Sequence, residues 1–319
     1  MRVLFVAAGK KCGVSPFVSE QCEALLSAGV DVAEYVHGAH GIVRYMREVP
    51  HLRKAIREEM PDVVHAHFGL TGLMAVLAAV GTGVPVVVTY HGCDINDKKL
   101  RPFSWIAMRL SAWNVFVSKR QKINACGSEG NAAKAKRSSI IPCGINIEKF
   151  DEKYVDNAWF DSRFGEGDKV LFAGSFSSYV KNPELAKQAV ERMNVERVSD
   201  VELIEMKGYA REQVMTLMYR CKALLLTSIR EGSPQVVKEA MACGCPIVSV
   251  DVGDVAERVA NLDGCYVVPS REPKDIAEAL QKAIAFGRTK GRDRLRADKL
   301  DNAQIVKRLI SIYEQVKKR

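Results

Sequence analysis

The nine residues Glu231-Gly-Ser-Pro-Gln-Val-Val-Lys-Glu239 decide the fold, because they join an acidic loop to the start of a helix. Ser233 is a preferred N-cap residue, and Pro234 suits the first helical position. The segments on either side, residues 222–227 and 246–250, are short apolar runs typical of buried parallel strands. The pattern therefore predicts a strand, an acidic loop, a helix and a second strand.

This junction has the chemistry of an anion-binding site. The backbone N–H groups near Gln235 and Val236 lie at a helix start, where the helix dipole favours negative charge. Glu231 in the loop and Glu239 on the second helical turn flank that position. A ligand with a phosphate in its middle and hydroxyl groups at both ends would match.

Strand-like apolar runs alternate with helical patterns along all 319 residues, which predicts parallel sheets in two doubly wound α/β domains. We expect strands near residues 3–7, 30–36, 62–66, 85–90, 113–117, 139–142, 169–173, 201–206, 223–227, 246–250 and 266–268. In the first half we expect helices near residues 14–27, 42–59, 72–80 and 103–111.

The chain resembles the retaining nucleotide-sugar glycosyltransferases of family 4. Their motif is two glutamates separated by seven residues and then Ala-Met-Ala-x-Gly-x-Pro, and here Glu231 precedes Glu239-Ala-Met-Ala-Cys-Gly-Cys-Pro246. The resemblance implies the GT-B fold, in which two Rossmann-like domains face a central cleft. It implies an acceptor-binding domain over residues 1–150, a nucleotide-sugar-binding domain over 151–300, and a C-terminal helix over 301–319 that packs back on the first domain.

The same resemblance assigns roles in binding a nucleotide sugar. It implies that Glu231 contacts the transferred sugar and that Glu239 contacts the ribose. Family members place an arginine directly after a glycine, and a lysine further on, against the diphosphate. Here Lys181 stands in the lysine position, but Gly174 is followed by Ser175. A hydroxyl cannot form the bidentate charged contact of a guanidinium, so either a second cation compensates or the donor binds more weakly.

Further donor-binding residues are expected around these positions. Arg230 is the candidate for the second cation because it directly precedes Glu231. The loop over residues 9–15 is glycine-rich and opens a helix, so it fits either a loop across from the phosphates or a plain turn. The remaining predicted donor-binding residues are Gly13, Gly232, Ser233, Pro234, Gln235 and Val236.

Three residues of the first half are expected near the sugar and the acceptor. Residues at the carboxyl ends of parallel strands line the ligand crevice of an α/β domain, and His67 and His91 end two successive predicted strands. The segment from Thr89 to Asp94 resembles the part of the family that faces the donor sugar and the acceptor. We predict that His91 acts in catalysis with Glu231 and Lys181, and that His67 and Asp94 lie on the acceptor side. His65 is predicted to be structural.

Positive charge is concentrated in one segment. Residues 98–137 hold ten basic residues and one acid, Glu129, which indicates an anionic partner. Trp105 and Trp113 in the same segment fit either an anionic membrane surface or a helix packed in its domain. Nine cysteines without a Cys-x-x-Cys pair indicate free thiols in a reducing compartment. We predict a cytoplasmic protein that attaches peripherally to the inner face of the cell membrane and binds no nucleic acid.

The expected activity is transfer of a hexose-like sugar with retention, without a metal or other cofactor. The sequence has neither metal-ligand spacing nor an Asp-x-Asp motif. The resemblance implies a UDP- or GDP-linked sugar as donor and a glycan or lipid-linked acceptor, in cell-envelope or exopolysaccharide biosynthesis. Two alternatives remain open: a non-catalytic nucleotide-sugar-binding subunit, which the serine at position 175 favours, and a nucleotide-sugar epimerase of the same fold.

Overall fold

The computed structural model describes residues 1–9, 14–135, 137–197 and 200–318. The strands in these ranges are β1 (Arg2–Ala8), β2 (Asp31–His37), β3 (Val63–His67), β4 (Val86–Tyr90), β5 (Trp113–Phe116), β6 (Ser138–Ile140), β7 (Lys169–Phe172), β8 (Glu202–Glu205), β9 (Ala223–Leu226), β10 (Ile247–Val250) and β11 (Tyr266–Val268). The α-helices are α1 (Pro16–Ser27), α2 (Ile42–Glu59), α3 (Gly69–Ala79), α4 (Cys93–Asn96), α5 (Arg101–Leu110), α6 (Lys119–Cys126), α7 (Glu129–Lys134), α8 (Asn157–Phe164), α9 (Pro183–Arg197), α10 (Arg211–Arg220), α11 (Gln235–Ala242), α12 (Val255–Arg258), α13 (Pro273–Phe286), α14 (Gly291–Ala297) and α15 (Asn302–Lys317).

The chain forms two compact units, one of Met1–Ile145 with Leu300–Arg319 and one of Asn146–Lys299. In the first unit the described strands form a parallel sheet in the order β2-β1-β3-β4-β5-β6. In the second unit they form a parallel sheet in the order β11-β10-β9-β7-β8. The predicted doubly wound parallel architecture is therefore confirmed. Residues 146–150, which were expected in the first domain, belong to the second unit.

The core of the first unit lies around β3 and β4, which are buried along their whole length. Strands covered by helices on both faces need continuous apolar runs, and Val86-Val-Val88 supplies one. Helix α3 packs closely on β4 at Gly72, where a Cβ atom would lie 2.6 Å from Cγ1 of Val88. Glycine at this position therefore permits the close approach of helix and strand.

Helix α15 belongs to the first unit, although it follows the second unit in the sequence. Its buried stripe includes Ile305, Leu309 and Tyr313. The Tyr313 hydroxyl lies 2.6 Å from Nδ1 of His65 in β3, and both side chains are fully buried. His65 is thus structural, as predicted.

Helix α5 presents exposed apolar side chains at the surface of the first unit. Trp105, Ile106 and Leu110 are 46%, 46% and 59% exposed, while Phe103 packs against the core. Of the two alternatives left open for Trp113, packing within the domain is the one observed: the residue is buried in β5. None of the helices in the described part of the chain has the length and apolar character needed to cross a membrane.

Candidate functional site

The two predicted catalytic residues of the second unit contact each other. Lys181 lies in a short 3-10 turn after β7, and Glu231 lies in the loop between β9 and α11. The Lys181 ammonium donates a hydrogen bond of 2.6 Å to Oε1 of Glu231. Their side chains are 29% and 16% exposed, so both charges remain within reach of a ligand. The structure therefore brings together, at the carboxyl ends of two strands, the groups expected to contact phosphate and sugar.

Lys181 is held by its stem and by its backbone. A Cβ atom at residue 174 would lie 2.6 Å from Cγ of Lys181, so Gly174 leaves space for the lysine stem to cross it. The Thr227 hydroxyl at the end of β9 donates to the carbonyl oxygens of Lys181 at 3.0 Å and of Asn182 at 2.8 Å. Gly174 therefore contributes to the site by allowing the Lys181 side chain to pack against its backbone.

The start of α11 differs from the predicted cap. Helix α11 begins at Gln235, and its N-cap residue Pro234 makes no side-chain capping bond. The Ser233 hydroxyl instead donates to Oδ2 of Asp254 at 2.8 Å, so the predicted Ser233 cap is wrong. The same carboxylate oxygen accepts a bond from Nε of Arg258. An ion pair and a hydroxyl thus engage Asp254, which is the N-cap residue of α12 but makes no side-chain cap bond there.

Glu239 lies in an ion pair with a residue that the sequence pattern did not single out. Nη2 of Arg211, the first residue of α10, is 3.8 Å from Oε1 of Glu239. The guanidinium also lies over the ring of Phe150, 5.5 Å from its centroid. Arg211 and Phe150 line a cavity of about 590 Å³ within the second unit, together with Tyr154 and Met215. Arg211 therefore connects Glu239, its ion-pair partner, to a partly apolar cavity.

Two lysines of the second unit were also missed by the sequence pattern. Lys238 is fully buried on α11, and its ammonium donates to Oε1 of Gln235 at 2.9 Å. Lys207 follows β8, and its ammonium lies 3.4 Å from the hydroxyl oxygen of Ser177. The position of Lys207 two residues after the parallel strand β8 was the available signal for its proximity to the carboxyl end of the sheet. Arg230 is exposed, and Gly13 lies outside the described residues.

In the first unit His65, His67 and His91 lie in a row, of which His65 and His67 are fully buried and His91 is half-buried. His67 Nδ1 lies 3.0 Å from His91 Nε2, and His91 Nδ1 lies 3.6 Å from Sγ of Cys143. Phe17 and Phe68 pack against the His91 ring, with centroids 4.8 Å and 4.6 Å away. Burial lowers the pKa of His67 to about 3, so this ring stays neutral. His91 is thus held by a neutral neighbour and two aromatic rings.

The structure does not leave His67 and Asp94 available for direct acceptor contact. His67 is 0% exposed and Asp94 is 2% exposed. The Asp94 carboxylate accepts bonds from the backbone N–H groups of Gly69, His91 and Gly92, and so fixes the turn after β4. Burial raises the pKa of Asp94 to about 6, while these N–H groups act in the opposite direction. Both residues therefore act as positioning residues: His67 contacts the His91 ring, and Asp94 holds the backbone of the turn that contains His91.

Two models of protein families match the chain. The model described as Glycosyltransferase Family 4 matches residues 13–149, and the model described as Glycosyl transferases group 1 matches residues 182–285. Together they cover most of the chain. The chain belongs to the family 4 (group 1) glycosyltransferases.

Individual relatives are distant. TuaC of Bacillus subtilis (strain 168), a putative teichuronic acid biosynthesis glycosyltransferase, is 22% identical over 245 residues, which are 71% of this chain and 62% of TuaC. This chain thus spans less than two thirds of that relative. Sucrose-phosphate synthase from Thermosynechococcus elongatus superposes with a TM-score of 0.79 at 16% identity, over 99% of both chains. Anabaena HepE in complex with UDP-glucose superposes with a TM-score of 0.71 at 14% identity, over 99% of this chain and all of HepE. These likenesses establish the GT-B fold.

Proposed function

We propose that this glycosyltransferase uses a UDP- or GDP-linked sugar and transfers the sugar with retention of configuration. The observation that carries the proposal is the Lys181–Glu231 ion pair of 2.6 Å near the start of α11. It combines one group suited to phosphate with one suited to sugar hydroxyls. The HepE complex, which contains UDP-glucose in a protein of the same fold, supports this choice of donor class.

The chemistry follows from the charges that develop during transfer. The bond between the anomeric carbon and the diphosphate oxygen breaks, and its electron pair leaves with the diphosphate. The acceptor oxygen bonds to the anomeric carbon on the same face, and its proton passes to the departing phosphate. Lys181 and the N-terminal turn of α11 stabilise the negative charge. Glu231 holds sugar hydroxyls, and Glu239 holds the ribose.

In the first unit we assign one residue to the sugar and two residues to the support of that residue. His91 orients the sugar, while His67 and Asp94 hold His91 and its turn in place. Neutral His67 can donate or accept only one hydrogen bond at Nδ1, so it restricts the orientation and tautomer of the His91 ring. The His91 side chain can then present a defined donor or acceptor to the substrate.

We further propose that transfer needs no metal ion. Lys181 is one cation at the site, and the helix start supplies a second source of positive potential. In the described ranges, no group of three or more His, Cys, Asp or Glu side chains is arranged to hold a metal ion.

The acceptor is proposed to be a glycan or lipid-linked saccharide at the inner face of the membrane, in polysaccharide or cell-envelope biosynthesis. Exposed Trp105, Ile106 and Leu110 on α5 lie in the basic segment 98–137, which favours an anionic surface. The distant relative TuaC, which is named for teichuronic acid biosynthesis, is consistent with such an acceptor.

The deciding experiment has two stages. A thermal-shift panel of UDP, GDP, ADP and their sugars first identifies the donor, because a ligand that binds the folded state raises the melting temperature by mass action. The purified protein is then incubated with that donor and an isoprenoid-diphosphate saccharide, and the anomeric configuration of the product is read by NMR. Donor binding without turnover would favour the non-catalytic subunit, and an epimer formed from donor alone would favour the epimerase.

A further inference from the structure

The donor site carries less positive charge at residue 175 than the family pattern leads one to expect. Ser175 follows Gly174 in the turn after β7, where a guanidinium would face the diphosphate. A hydroxyl supplies one weak donor and no charge. Fixed cations stabilise the charge that develops on a departing diphosphate, so a basic residue from a neighbouring strand can take the place of the missing guanidinium.

Lys207 reaches the turn from the neighbouring strand. The hydroxyl oxygens of Ser175 and Ser177 are 2.8 Å apart, and Oγ of Ser175 also accepts the backbone N–H of Ser177 at 3.2 Å. The Lys207 ammonium lies 3.4 Å from the Ser177 hydroxyl. The two serines and the ammonium thus form one polar cluster at the carboxyl end of the sheet.

The backbone fixes this arrangement. Strand β8 pairs with β7 in parallel, with Phe172 opposite Glu205. The N–H of Met206, directly before Lys207, donates to the carbonyl oxygen of Gly174 at 2.9 Å. The Glu205 carboxylate accepts the N–H of Phe176 at 2.7 Å. Lys207 is therefore tied through neighbours on both strands to the turn that contains Ser175, while its own side chain remains exposed.

We propose that Lys207 is the second phosphate-binding cation of the donor site, in the place that an arginine at position 175 would otherwise fill. Gly174 and Ser175 then lie between two lysines, because the stem of Lys181 crosses Gly174 and Lys207 approaches the serine side. Two cations that flank one turn can each contact one of two adjacent phosphate groups. The Ser175 and Ser177 hydroxyls add neutral donors. This inference rests on the proposed nucleotide-sugar donor.

The test compares a nucleoside diphosphate with its nucleoside. UDP, GDP and ADP are titrated into the wild-type protein by calorimetry, and the tightest binder is then measured against Lys207→Ala. We expect its Kd to rise about fivefold to tenfold, since an exposed charged contact is partly screened. Binding of the corresponding nucleoside should not change. Lys187→Ala is the matched control, because Lys187 is also exposed and lies near the same turn but faces the Phe176 ring, 5.2 Å from its centroid.

A rescue variant separates a specific role from general charge loss. Adding Ser175→Arg to Lys207→Ala should restore most of the lost diphosphate affinity, because it returns a cation to the same turn. An unchanged Kd for Lys207→Ala, an equal loss in Lys187→Ala, or a double variant as weak as Lys207→Ala would each overturn the inference. A wild-type protein that binds none of the three diphosphates would instead contradict the proposed function itself. Equal melting temperatures of the unliganded variants would show that folding is intact.

Discussion

The ammonium of Lys181 and the carboxylate of Glu231 are 2.6 Å apart, although fifty positions separate them in the sequence. The two side chains form an ion pair, and their partial exposure to solvent limits the stabilising energy of that pair. A bound donor can offer phosphate to the lysine and hydroxyl groups to the glutamate. The pair is therefore suited to exchanging partners on donor binding.

The first prediction concerns Glu231. Glu231→Gln should lower kcat on the order of 100-fold, ~2.7 kcal/mol of barrier, because contacts to the sugar strengthen as positive charge develops on the ring. The Kd for the donor should change much less. Steady-state kinetics and calorimetry measure the two effects separately. Glu278→Gln, an exposed glutamate on α13, is the matched control. Turnover equal to wild type, or an effect seen only as global unfolding, would remove Glu231 from the mechanism.

The second prediction concerns Glu239. Glu239→Gln should weaken donor binding about tenfold, ~1.4 kcal/mol, while kcat at saturating donor stays within about twofold. The reason is that ribose contacts are present before and during the reaction and so contribute equally to both states. Calorimetry with the donor and with the free sugar phosphate distinguishes ribose binding from sugar binding. Equal donor affinity in variant and wild type contradicts the ribose assignment.

The fold could be predicted because its signal is local. Helix α2 begins at Ile42 and ends at Glu59, as predicted, since an amphipathic pattern of that length specifies one face. Glu231 and Glu239 could be placed on a loop and on a helix by the same reasoning. Contacts between residues that are distant in the sequence could not be predicted in this way. The Ser233 cap failed because Asp254, 21 positions away, competes for the hydroxyl.

The same limit explains the other differences at the site. A strand-end position indicates proximity to the ligand crevice, but burial depends on which neighbours cover the side chain. His67 illustrates this: it ends β3, and its ring is covered completely. Arg211 and Lys207 pair with residues that no sequence spacing connects to them, so only their three-dimensional positions indicate a role.

The third prediction concerns metal dependence. Turnover should persist after treatment with EDTA and gel filtration, because the proposed electrostatic stabilisation comes from lysines and a helix start. Initial rates before and after chelation measure this directly, and a known manganese-dependent sugar transferase serves as the positive control for chelation. Loss of activity with recovery on adding manganese or magnesium would contradict the prediction and direct attention to Asp94 and Asp97.

The fourth prediction follows from the buried ring of His67. Burial lowers its pKa from 6.5 to about 3, so below pH 6.5 the unfolded chain takes up a proton that the folded protein excludes. The free energy of unfolding should therefore decrease as the pH falls from about 6.5 towards 3, by ~1.4 kcal/mol per unit from this residue. In His67→Phe that part of the slope should disappear between pH 6 and pH 4.

Urea unfolding at several pH values measures this slope. The control is His51→Gln, because the His51 side chain is 72% exposed and the slope should stay as in wild type. The same slope in His67→Phe and wild type would show that the folded protein accommodates a charged ring at this position.

The last prediction concerns attachment to membranes. The protein should co-sediment with vesicles that contain anionic phosphatidylglycerol and much less with neutral phosphatidylcholine, and high salt should release it. The reason is that basic residues near an anionic leaflet attract it over about one Debye length, while exposed apolar side chains can enter the interface. Lys98 and Lys99 are exposed directly before α5, and Trp105 is exposed on it.

Three variants separate charge from apolar contact. Changing Lys98 and Lys99 together to Gln should weaken binding to anionic vesicles on the order of tenfold, and Trp105→Ala should weaken binding at high salt more than at low salt. The matched control changes Lys274 and Lys282 of the second unit to Gln, since these lysines are also exposed but lie outside the basic segment. Equal partitioning to both lipids would contradict membrane attachment. A similar loss in the control would assign the effect to net charge, and the basic segment would then have no special part in binding. A soluble anionic acceptor would in that case be the better explanation of the charge of this segment.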